Sequence, residues 1–188
     1  MRPVILASGS PRRRELLSLI VDHFDIIPAD VDETIDETKP LDREIERLSY
    51  KKAEAVFHEH PEAVVIGSDT IVTIDGKILG KPSSKEEARE MLRTLSGQIH
   101  TVITAVSILT REESETFSIK SEVQFENLEE CEIIAYVDSN EPLDKAGAYA
   151  IQGDGAKFVK AIRGDYYAII GLPVSELYQR LKKYAGVV

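Results

Sequence analysis

The run Ala63-Val64-Val65-Ile66-Gly67 has no polar side chain on either of its alternating faces, so it reads as a strand buried on both sides. Thr101 to Leu109 is likewise apolar on both alternating sets and reads as a central strand. Thr116 to Phe125 differs: Phe117, Ile119, Val123 and Phe125 share one face, while Thr116, Lys120, Glu122 and Gln124 share the other. That alternation predicts a half-exposed strand. Helical segments lie between these strands, which implies an α/β architecture with a mixed sheet and flanking helices, not a simple βαβ repeat.

The remaining punctuation places the other elements. Val4 to Ala7 predicts a short buried strand, followed by Ser8-Gly9-Ser10-Pro11, where Ser10 can cap and Pro11 can open a helix running to about Ile20. Phe24 to Pro28 predicts a second strand, Asp30 to Asp36 an acidic loop, and Leu41 onward a long helix ending before Pro61. Asp75-Gly76 between Thr70–Ile74 and Lys77–Leu79 is a hairpin signal. Ser84-Lys85-Glu86-Glu87 fits a capping box at the head of a helix carrying Ala88, Met91, Leu92 and Leu95, closed by Gly97. A helix near Leu128 to Val137, a Gly-rich segment from Gly147 to Gly155, one or two strands between Lys157 and Ile170, and a helix after Pro173 complete the expectation.

Composition narrows the function classes. A chain of 188 residues suits one domain or two small lobes on a shared core, and no change of composition marks a boundary. With 23 basic and 33 acidic residues the net charge is −10, which disfavours binding to nucleic acid or to an anionic membrane. One cysteine, Cys131, excludes an intramolecular disulfide and fits a reducing cytoplasm. Val4 to Ala7 is too short for the core of an export signal, and no run approaches the length of a membrane span.

Five groups of residues carry possible chemistry. Ser8, Ser10, Arg12 and Arg13 place hydroxyls, unpaired helix amides and guanidinium groups within one turn, which suits an anion; the alternative is a capped helix with a solvated basic start. Arg12-Arg13-Arg14 at the positive end of a helix dipole is unfavourable unless an anion offsets it. Asp69, in Gly67-Ser68-Asp69-Thr70, stands where a buried strand is expected to end and suits a metal ligand or general base, or else a turn. The hairpin register sets Thr70 opposite Lys81, which returns Lys81 toward Asp69.

Lys52 falls in the apolar row Ile45, Leu48, Lys52, Val56, and either snorkels along the helix edge or points at other charges, whereas Lys51 is expected in solvent. The acidic loop, with Asp30, Asp32, Glu33, Asp36 and Glu37, could lend one carboxylate to a Mg²⁺ shared with Asp69. Finally, Asp144 to Gly153 combines glycines that admit close approach with Gln152, an amide suited to reading a base edge, or else forms only a turn. His100 is expected to make a structural hydrogen bond. There is neither a Walker-type phosphate loop nor a nucleophile, base and orienter set.

Taken in order, Ala7 to Arg13, Glu33, Lys51-Lys52-Ala53, Gly67 to Thr70, Gly80-Lys81-Pro82, Ser96-Gly97, His100 to Thr104 and Asp144 to Gly153 resemble the Maf family of nucleoside triphosphate pyrophosphatases. The resemblance covers nearly the whole chain. It implies a single domain over residues 1–188, a mixed twisted sheet with flanking helices, and two lobes around a central cleft, similar to inosine triphosphate pyrophosphatases. It further implies a cytoplasmic homodimer that hydrolyses a nucleoside triphosphate to monophosphate and pyrophosphate.

Carried onto this sequence, the resemblance gives Ser8, Ser10, Arg12, Arg13, Lys52 and Lys81 to the substrate phosphates. Glu33 and Asp69 would hold Mg²⁺ or Mn²⁺, with Asp69 deprotonating the attacking water. Arg12, Thr70 and Gln152 resemble the branch acting on dTTP and UTP. A link to septum formation is also implied. Two other readings stay open at this stage: a nucleotide-binding regulator with little turnover, and a pyrophosphatase for non-canonical nucleotides.

Overall fold

The structure, a computed structural model, describes residues 2–184. In chain order it runs β1 (Val4–Leu6), α1 (Pro11–Leu17), β2 (Asp25–Ile26), α2 (Leu41–Phe57), β3 (Val64–Ile74), β4 (Lys77–Leu79), α3 (Lys85–Leu95), β5 (Ile99–Leu109), β6 (Ser114–Phe125), α4 (Glu130–Asp138), β7 (Val159–Arg163), α5 (Tyr166–Ile170) and α6 (Val174–Leu181). The described strands form a seven-stranded sheet in the order β2-β1-β3-β5-β6-β7, with β4 paired to β3. β1 is parallel to both β2 and β3, whereas β3–β4 and β6–β7 are antiparallel, so the sheet is mixed as expected. No helix among the described residues is long and apolar enough to cross a membrane.

Within the described residues the chain divides into two compact units, one drawn from Met1–Asp69, Thr104–Ile119 and Gly171–Val188, the other from Thr70–Ile103 and Lys120–Ile170. In the first, Ile5, Ala7, Val65 and Leu109 pack with Ala53 and Val56 of α2. The apolar row of α2 lies inward: Ile45, Leu48, Ser49, Lys52, Ala53 and Val56 are all buried. Leu16 and Leu17 turn α1 inward as well, while Ser10 caps it and Pro11 opens it.

The second unit is built on the β3–β4 turn and on α3. Asp75 (φ 50°) and Gly76 (φ 76°) are both left-handed, as a two-residue hairpin of type I′ requires, and Val72 pairs with Leu79 in the predicted register. Gly97 (φ 68°) ends α3 as expected. The capping box is only half formed. Ser84 Oγ accepts the Glu87 amide, but the Glu87 carboxylate accepts the amide and hydroxyl of Ser83 instead of closing on Ser84. The core joins Val72, Leu92, Leu95, Val123, Phe125, Tyr136, Tyr149 and Phe158, whose aromatic rings meet edge to face.

One element type differs from expectation. The segment expected to hold one or two strands between Lys157 and Ile170 contains β7 and then a helix, α5. Gly164 (φ 127°) breaks the strand, and the Asp165 carboxylate accepts the Tyr167 and Ala168 amides, supplying the cap that starts α5.

Candidate active site

β3 does not end at Gly67; it runs unbroken through Asp69 and Thr70 to Ile74. Those two are the only positions of its eleven that are less than fully buried, and they lie beyond Ile66, the last residue paired with β1. Asp69 is therefore a mid-strand residue uncovered because its neighbour strand has stopped. Side chains alternate along a strand, so Gly67 and Asp69 share a face and Ser68 takes the other.

Gly67 faces α2 at close range: a Cβ there would lie 2.2 Å from the Ser49 carbonyl oxygen and 2.8 Å from the Ala53 amide nitrogen. Only glycine lets helix and strand approach so closely. One turn of α2 then sets Lys52 beside Asp69, with Nζ donating to Oδ1 at 3.0 Å. The same ammonium lies 2.8 Å from Glu33 Oε1. Lys52 thus points at other charges instead of snorkelling; at 7% exposure it is largely shielded, as is Asp69, while Glu33 stays open to solvent.

Glu33 reaches Lys52 because its loop is tied to α2. Lys51 Nζ donates to the Asp32 carbonyl at 3.2 Å, and Arg47 donates to the Thr34 carbonyl at 2.8 Å while its guanidinium pairs with the buried Glu44. Lys51 is half-buried and bonded, not simply solvated as expected. Asp32 accepts the amide and hydroxyl of Thr34, and Asp36 those of Thr38; these bonds hold both carboxyls below the usual carboxylate range. The two acids act on their own loop, which leaves Glu33 as the member of the acidic run that reaches the lysine.

The β1–α1 turn completes the group. Ser10 Oγ accepts the Arg13 amide as the helix cap, and Ser8 Oγ accepts both the Ser10 amide and Arg13 Nη1, the latter at 3.2 Å. Arg13 Nη2 stands 4.0 Å from Asp69 Oδ1. Burial pushes the Arg13 guanidinium below its ordinary value, opposed by the charges of Asp69 and Glu33; as an arginine it stays protonated. Arg12, in the first turn of α1, is half-buried and adds like charge to Arg13.

Two positions that the sequence did not mark hold this arrangement from behind. The Gly171 carbonyl oxygen accepts Arg13 Nε at 3.0 Å and Ser68 Oγ at 3.0 Å. Gly171 has φ 132°, and nothing in its sequence context signals chemistry. The first unit therefore gathers Ser8, Ser10, Arg12, Arg13, Glu33, Lys52 and Asp69.

Thr70, Lys81 and Gln152 belong to the second unit. Thr70 is half-buried on β3, Lys81 is exposed just after β4, and Gln152 is exposed on a turn. The Gly147 amide donates to the Gly80 carbonyl at 3.1 Å, tying the Lys81 segment to the Gly-rich one. Gly147 (φ 70°) takes a left-handed conformation against Val72. His100 makes the structural bond expected of it, Nε2 to the Tyr149 hydroxyl at 2.8 Å.

Within the first unit, a positive helix start, a lysine shared by two carboxylates and a serine-held arginine form a concentrated charged group of the kind that suits an anion. Comparison with known proteins identifies relatives over nearly the whole chain. A family model described as Maf-like protein matches residues 3–184. Relatives named dTTP/UTP pyrophosphatase include one from Bacillus mycoides (strain KBAB4), 51% identical over 98% of this chain and 96% of its own length. Others of that name, from Bacillus anthracis and Bacillus cereus (strain AH820), are each 50% identical over the same shares. The chain belongs to the family of Maf-like proteins.

Proposed function

We propose that this chain is a nucleoside triphosphate pyrophosphatase that converts dTTP and UTP to the monophosphate and pyrophosphate. The observation that carries the reading is the Asp69 carboxylate held between Lys52 Nζ at 3.0 Å and Arg13 Nη2 at 4.0 Å. That carboxylate lies against two cations, and the reading is backed by the dTTP/UTP pyrophosphatase names of relatives matching nearly the full chain. The regulator reading has no comparable support.

The chemistry follows from charge. A triphosphate carries more negative charge than one cation can offset, so Arg12, Arg13 and Lys52, with Lys81, share its neutralisation, and the α1 amides and Ser8 bond its oxygens. Asp69 takes the proton of the attacking water, which adds to the α-phosphorus as the bond to pyrophosphate breaks. Arg13 and Lys52 are already oriented, so little reorganisation is needed as charge moves to the leaving oxygen. No covalent intermediate is required. Thr70, Arg12 and Gln152 select the base, Gln152 through an amide that a mismatched base edge would leave unpaired.

A divalent cation fits the donor set. Glu33 and Asp69 offer hard carboxylate oxygens, and both approach the Lys52 ammonium, at 2.8 and 3.0 Å, so the two carboxylates come near one position. Two carboxylates would suffice for Mg²⁺ or Mn²⁺, since either can take its other ligands from water and phosphate. Bound there, the metal would supply charge neutralisation on the phosphate oxygens.

The test is pyrophosphate release from dTTP, UTP, dCTP and ATP with Mg²⁺, Mn²⁺ or EDTA. Release should peak with dTTP or UTP and vanish in EDTA. Asp69→Asn should bind nucleotide while kcat falls roughly 10²- to 10⁴-fold. Turnover undiminished by that change would remove Asp69 from the mechanism, and binding without turnover by the unaltered chain would favour the regulator.

A further inference from the structure

The glycines around Gln152 admit protein groups, not only a ligand. A Cβ on Gly153 would lie 1.7 Å from Glu141 Oε1, and one on Gly155 would lie 2.8 Å from the Tyr136 hydroxyl and 2.7 Å from the Ala150 carbonyl oxygen. The space those side chains would occupy holds two polar anchors. Glu141 Oε1 accepts the Asp154 amide at 3.1 Å and Oε2 accepts the Gly155 amide at 3.2 Å. The Tyr136 hydroxyl accepts the Ala150 amide at 3.0 Å.

Gln152 therefore sits at the crest of a turn whose two feet, Ala150 and Asp154–Gly155, are each fixed by a side chain from outside the turn. The anchors are themselves held. The Glu141 amide donates to Ser139 Oγ at 3.2 Å, and Lys145 Nζ donates to the Glu141 carbonyl at 3.3 Å. Tyr136 is buried in the aromatic core against Phe158. Burial and the Glu141 carboxylate together raise the Tyr136 hydroxyl above its ordinary value, so the two anchors sense each other.

We propose that Glu141 is a positioning residue for Gln152, an inference that rests on the base-reading role given to Gln152 above. A bidentate carboxylate on two successive amides fixes the turn's direction as well as its place, and an amide reads a base edge only if both its donor and its acceptor are fixed. Tyr136 fixes the other foot. A purely structural cap on the turn would affect stability without distinguishing one base from another.

The experiment measures kcat and KM for dTTP and dCTP, and Tm, on the unaltered protein and on Gln152→Ala, Glu141→Ala, Glu141→Gln and Tyr136→Phe. Glu141→Ala should cut the dTTP-over-dCTP preference in kcat/KM about tenfold, carried by KM for dTTP with kcat changed less than about twofold. Glu141→Gln, which keeps one acceptor oxygen, should fall between. Tyr136→Phe preserves the ring in the core and loosens the other foot, so it should erode the preference in the same way; it also serves if Glu141→Ala does not fold. An unchanged preference in the folded Glu141 and Tyr136 variants, or a fall in kcat alone for both nucleotides, overturns the inference while Gln152→Ala still abolishes the preference. If Gln152→Ala itself leaves the preference intact, it is the base-reading role that fails.

Discussion

His100 is the buried titratable residue whose protonation the fold opposes most clearly. It is 1% exposed, packed edge-on against Phe125 and Tyr149, and burial pushes its pKa down to about 4. The unfolded chain takes up that proton near pH 6.5, so between the two values the unfolded state binds more protons and stability falls as the pH drops. Urea unfolding should lose about 2 kcal/mol between pH 7.5 and pH 5 from this residue, and His100→Gln should flatten that part of the slope. An identical pH profile in the variant would mean that other groups carry it. Residues such as Lys52 were legible because a charge in an apolar row demands a partner, and Asp69 and Glu33 supply it. Ser68, Gly171 and Glu141 were not, since their work is done across long sequence separations and leaves no local periodic trace.

At the scale of elements, the contact between α2 and β3 sets the geometry of the site. Gly67→Ala would press a methyl group onto the Ser49 carbonyl oxygen and the Ala53 backbone, neither of which can move without shifting α2. Overpacking of this kind should cost roughly 1 to 3 kcal/mol and should also lower kcat/KM, because Lys52 rides on the displaced turn. Denaturation midpoints and kinetics on the same preparation test both, and a variant as stable and active as its parent would show that α2 adapts. Elements with strong periodicity or turn chemistry were readable: α2, α3, the Asp75-Gly76 hairpin and the two faces of β6. The errors came where one side chain decides the outcome, as Asp165 does in starting α5 and Glu87 in choosing Ser83 over Ser84. Asp69 was misplaced at a strand end because the sequence shows where apolar character lapses, not where a neighbouring strand stops.

For the molecule as a whole, neither compact unit is a continuous stretch of chain; the first takes three segments and the second two. Removing the residues from Gly171 onward would take away the acceptor of Arg13 and Ser68 and the buried Leu172, Leu177 and Leu181. Such a truncation should be inactive and largely unfolded by circular dichroism, and a soluble, active product would contradict that dependence. The Arg13 bond to Gly171 spans 158 residues. During synthesis α1 leaves the ribosome long before the carbonyl that orients its guanidinium has been made. Until that carbonyl is made and folded back, the Arg13 side chain lacks the partner that fixes its direction, so the order at this corner of the fold is acquired late.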